Sequence, residues 1–81
     1  MSTPGEISPT NLSPMAWRLL RVGAGFEQRA VEREIDEIQQ AHVSMLERGA
    51  RSLSPARRAT LFELYADELT TAQVRAIVDH F

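Results

Sequence analysis

Between Phe26 and Arg48 the positions Val31, Ile35, Ile38, His42, Met45 and Gly49 fall at intervals of 4, 3, 4, 3 and 4, a single stripe down an α-helix. Leu46 widens that stripe at its end, and His42 stands where an aliphatic residue would be expected. Arg29, Glu32, Arg33, Asp36, Gln40 and Glu47 occupy the opposite, polar face. Acidic residues dominate the N-terminal half, and Arg48 and Arg51 close the C-terminal end, which complements the helix dipole. The pattern predicts one long helix from about 26 to 48.

Shorter patterns flank it. Ser13-Pro14 is a start signal: a hydroxyl for the free N–H groups, then a proline where its missing N–H costs nothing. The helix that follows is expected over roughly 14–22, stopped by Gly23-Ala24-Gly25. Ser54-Pro55 repeats the start signal for a helix to about 68, with Leu61, Phe62, Leu64, Tyr65 and Leu69 as its apolar face. Thr70 and Gln73 have capping-box spacing, and Val74, Ile77, Val78 and Phe81 then follow helical periodicity. No strand-like alternation interrupts these elements. The expected class is all-α: a small bundle of one short helix, one long helix and a closely joined C-terminal helix pair. Residues 1–13, with Pro4, Gly5 and Pro9 among serines and threonines, read as a flexible N-terminal arm, and 14–81 as a single helical domain.

Composition narrows the chemistry. With 81 residues, the chain buries only about 60% of its unfolded surface, so its core is thin. The absence of cysteine removes disulfides, thiolate nucleophiles and cysteine-ligated metals. All nine basic residues are arginine, so no Schiff-base or P-loop lysine exists. This bias resembles the coding habit of a GC-rich bacterium. A net charge of −2 lacks the basic surplus of a general nucleic-acid binder. No apolar run approaches the ~20 residues of a bilayer span, and no basic-then-apolar leader opens the chain, so a cytoplasmic location is expected.

No catalytic constellation emerges. His42 lacks ligand partners one turn away, since Gln39 and Ile38 precede it, and it reads as a core or interface histidine. His80 reads as exposed. Glu32 with Asp36, and Glu63 with Asp67, are i, i+4 carboxylate pairs on wet faces. Ile35-Asp36-Glu37-Ile38 is similar to a run in small all-α chorismate mutases, but those enzymes also need a lysine that this chain lacks. No enzyme activity and no cofactor or metal are expected.

Two surfaces remain. The run from Leu64 to Phe81 resembles the opening of a bacterial helix-turn-helix, which would make Arg57, Arg58, Thr71, Gln73 and Arg75 the nucleic-acid contacts. Residues 55–81 nevertheless carry three arginines against four acids, where phosphate binding wants a positive surplus. The short helix has Met15, Trp17, Leu19, Leu20 and Val22 pointing in most directions, with Arg18 and Arg21 on one side. Tryptophan and arginine are the residue types of binding hot spots, although Trp17 and Leu20 could equally cap the bundle's end. The expected partner-binding set is therefore Met15, Trp17, Arg18, Leu19, Arg21 and Phe81. In size and helical make-up, rather than through a motif, the chain resembles the antiactivators that silence bacterial quorum-sensing regulators. That resemblance implies a small regulatory protein that sequesters another protein, such as a transcription factor; separately, the thin core of so short a chain leaves a homodimer as a further way to cover its helices. A DNA-binding regulator using 55–81 is the alternative, and a membrane role is not expected.

Overall fold

The computed structural model describes residues 12–50 and 53–81; the expected arm lies outside them up to residue 11, as do Arg51 and Ser52 of the middle loop. Five helices, and no strand, occur among the described residues: α1 (Pro14–Ala24), α2 (Gln28–Glu34), α3 (Gln40–Glu47), α4 (Pro55–Ala66) and α5 (Thr71–His80). The chain is all-α, as the patterns predict.

α1 is the hub, packing against α3, α4 and α5, while α2 packs on α3. Its ends are defined by chemistry. The Ser13 hydroxyl accepts from the Ala16 N–H at 3.0 Å, and Pro14 occupies the first turn. Gly25 closes the helix in the left-handed region at φ 86°, and the next N–H, of Phe26, reaches back to the Arg21 carbonyl at 3.1 Å. Glycine adopts this conformation without the Cβ clash that disfavours other residues. The helix therefore runs two residues past the expected stop at Val22, through Gly23. Leu12, read from sequence as part of the arm, packs against the core.

The long helix expected over 26–48 is broken. α2 ends at Ile35, whose backbone is extended (φ −133°, ψ 106°), and a turn at Asp36 and Glu37 leads to α3. Two side chains hold the restart: Glu32 accepts from the Gln40 N–H at 2.7 Å, and His42 Nδ1 accepts from the Gln39 N–H at 3.1 Å. Both satisfy backbone donors at or beside the start of α3. The break changes which side chains face inward. Ile38 is buried from the loop, and α3 buries Val43 and Leu46, while Met45 turns outward. His42 is accordingly not a core histidine but an end-cap.

The core gathers Trp17 and Leu20 from α1, Val31 from α2, Ile38 from the turn, Val43 and Leu46 from α3, Leu53, Leu61 and Tyr65 around α4, and Val74 from α5. The Tyr65 ring meets Trp17 edge-on at 6.4 Å between centroids and Phe26 tilted at 6.1 Å. α4 and α5 each meet α1 more extensively than they meet each other, so the C-terminal pair is organised by α1. No helix among the described residues is long and apolar enough to cross a membrane.

Candidate functional site

α1 divides into two faces. Ala16, Trp17 and Leu20 point into the core. Met15, Arg18 and Val22 share the outward face by helical spacing, with Met15 49% and Val22 56% exposed and Leu19 half-buried at its edge. Trp17 is thus a core residue, not a contact for a partner. Removing its side chain would cost about 3–5 kcal/mol, enough to threaten the whole of so small a domain. Phe81, past the end of α5, is exposed, and its carbonyl accepts from the Ser13 hydroxyl. That bond brings the backbone of Phe81 to the start of α1, two residues from Met15.

Beside the outward face lies a polar cleft of about 190 Å³, lined by Arg18 and Arg21 of α1, Gln28 of α2, and Ser44, Glu47 and Arg48 at the end of α3. Its floor is a built ion pair. Arg21 Nε donates to Glu47 Oε2 at 2.7 Å and its second terminal nitrogen to Oε1 at 3.0 Å, a two-pronged arrangement. Gln28 adds a third bond to Glu47 Oε1 at 3.2 Å, and the remaining Arg21 nitrogen donates to the Phe26 carbonyl at 2.8 Å. Both side chains are mostly buried. The hydrogen-bonded Glu47 carboxylate raises the basicity of Arg21, against the opposing effect of desolvation. Arg21 is therefore spent inside the chain, positioning α1, α2 and α3 together.

Arg18 and Arg48 differ. Both are exposed, and neither is engaged by another described residue. Three guanidinium groups against one carboxylate leave this cleft two positive charges, in a chain whose net charge is −2.

The residues of the alternative nucleic-acid surface do not converge in one place. Arg57 is in the first turn of α4 and pairs with Glu37 at 3.5 Å; Arg58 beside it is partly buried, with an unpartnered Nε. Thr71 and Gln73 begin α5, at the other end of a 12-residue helix about 18 Å long. The Gln73 side chain accepts from the Thr70 N–H at 2.8 Å, which commits it to the cap, and Arg75 is partly buried on the next turn. Among the described residues no three His, Asp or Glu side chains come together as a metal set.

Sequence reasoning named Arg18 and Arg21 but missed Gln28, Ser44, Glu47 and Arg48 as their companions. Ser44 and Arg48 are one turn apart, a spacing visible in the sequence; the pairing of residues 21 and 47, twenty-six apart, has no local signal.

Residues 6–58 match a family described as a domain of unknown function (DUF8599), and since they form more than half of the chain, it belongs to that family. The whole cleft and α1–α3 fall inside the matched stretch, whereas α5 falls outside it. No curated protein and no solved structure matches the chain.

Proposed function

We propose that this family member is a small bacterial regulatory protein that works by binding another protein, in the manner of an antiactivator that occupies a transcriptional regulator. The observation that supports this reading is the outward face of α1. It leaves Met15 and Val22 half-exposed around Arg18, which no other described residue engages, on the helix against which α3, α4 and α5 pack. Large apolar side chains flanking an arginine give desolvated area and directed donors together, the composition of contact surfaces that carry binding energy. Docking there covers apolar surface that so short a chain cannot bury by itself.

DNA binding through 55–81 has weaker support. Arg57 faces Glu37, Gln73 serves the α5 cap, and the two groups of residues start different helices.

The test is affinity capture from the native host by the full chain, with identification by mass spectrometry, repeated with Met15→Ser/Val22→Ser. Both positions are exposed, so the variant keeps its fold, which circular dichroism checks. A specific protein retained by the parent and lost by the variant supports the reading. Capture of nothing specific, or of the same proteins by both, overturns it.

A further inference from the structure

We infer that the cleft between α1 and α3 is a carboxylate-binding subsite, and that the partner contacts it with an acidic segment: Arg18 and Arg48 hold the carboxylate, and the Ser44 hydroxyl donates to it. The inference rests on the protein-binding reading above and adds the chemistry of the partner.

The cleft has the construction such a site requires. Its Arg21–Glu47 floor is internally satisfied, so it neither competes for an incoming anion nor needs one to be stable. Above that floor, one guanidinium group comes from α1 and the other from Arg48, the residue that closes α3, and neither has an acceptor among the described residues. Guanidinium forks match carboxylate geometry and bind it more strongly than neutral donors do. Charge complementarity also favours an acidic occupant: the lining is positive by two charges, although the whole chain is negative by two.

Size selects the kind of ligand. A volume of 190 Å³ falls below the ~300–1,000 Å³ typical of small-molecule sites. That space suits the end of one acidic side chain with residual hydration rather than a whole metabolite. A metabolite would find little apolar lining to fill, because the cleft is walled by arginine, glutamine, serine and glutamate. Arg18 also belongs to the outward face of α1, between Met15 and Val22. A segment that lays apolar side chains on Met15 and Val22 therefore carries its acidic residue into the cleft, which fixes its register.

The experiment titrates the isotopically labelled full chain with an N-acetylated octaglutamate peptide, with inorganic phosphate and with a short DNA duplex, following amide and arginine side-chain resonances. Octaglutamate is expected to shift Arg18, Ser44 and Arg48. Arg18→Gln/Arg48→Gln is expected to weaken it about tenfold or more. Arg29→Gln/Arg33→Gln removes the same charge from exposed positions on α2 and should leave affinity within about twofold. Equal weakening by the two double variants, or no shifts at the cleft, overturns the site. Tighter binding of phosphate or duplex at the same residues overturns its assignment to a protein carboxylate. A captured host protein that is lost with Met15→Ser/Val22→Ser but retained with Arg18→Gln/Arg48→Gln sinks the subsite and leaves protein binding standing. Cleft-specific octaglutamate binding without any captured protein does the reverse.

Discussion

α1 and the stretch from α2 to α3 are built on opposite principles. α1 is one unbroken 11-residue helix, started by a serine hydroxyl and a proline and stopped by a left-handed glycine. The α2–α3 stretch is two helices of seven and eight residues joined through an extended isoleucine. In α1 the ends and the apolar face agree. In the second stretch they conflict: a continuous helix would turn His42 and Met45 inward, whereas restarting at Gln39 turns Val43 and Leu46 inward. That change is one residue of rotation, about 100°. It trades a polar ring and a flexible thioether for Val43 beside Leu46, which already edged the stripe, while Ile38 stays buried, now from the turn. Periodicity therefore gives only the helical tendency; burial decides the phase.

This contrast is broken most directly by paired truncations on α3. Leu46 is 6% exposed and Met45 37% exposed. Leu46→Ala is expected to cost about 2–5 kcal/mol, and Met45→Ala under about 1 kcal/mol. Urea unfolding followed by circular dichroism measures both. Equal costs, or a larger one for Met45, would restore the single continuous stripe.

Legibility from sequence follows how local each determinant is. The starts of α4 and α5 were readable because their caps act across three residues: Ser54 accepts from the Arg57 N–H, and Thr70 exchanges bonds with Gln73. The all-α class follows from the same periodicities. The break at Ile35 was hidden because glutamine is not among the favoured N-cap residues and histidine is not the usual partner three positions on. The acidic run around it also suits the first half of a long helix. Of the candidate site, Met15 and Arg18 are legible on α1, whereas residue type alone leaves Trp17 divided between a binding hot spot and the buried end of the bundle. An 11-residue helix at the centre of a bundle needs one large anchor, and tryptophan supplies it. The cleft depends on α1 meeting the end of α3, a tertiary event with no signature in the chain.

A smaller effect contrasts the aromatic core beneath α1 with the wet α2–α3 turn. Tyr65 is the only tyrosine and is fully buried; burial, reinforced by the Glu47 charge and partly opposed by Arg21, pushes its phenol well above the usual range. The folded state then holds a proton that the unfolded chain gives up near pH ~10. Stability is unaffected by this group below that pH and falls as pH rises above it, by up to about 1.4 kcal/mol per unit. Phenolate absorbance should therefore appear together with loss of helix. Phenolate formed while the helices persist would contradict the burial of Tyr65.

The smallest effect concerns the restart itself. His42 Nδ1 accepts from the Gln39 N–H, a place where glutamine, the ordinary residue of a capping box, can supply an acceptor of similar reach. His42→Ala is expected to cost about 0.5–1.5 kcal/mol, because a backbone donor loses its protein partner. His42→Gln should recover most of that loss. The matching change in α1, Ser13→Ala, removes the bond to the Ala16 N–H and also the tie to the Phe81 carbonyl, so it should cost at least as much as His42→Ala. Thermal unfolding of the three variants ranks the two starts. If the alanine and glutamine variants at position 42 lose the same stability, the imidazole contributes something other than the cap, and the restart at Gln39 is held chiefly by Glu32 reaching the Gln40 N–H.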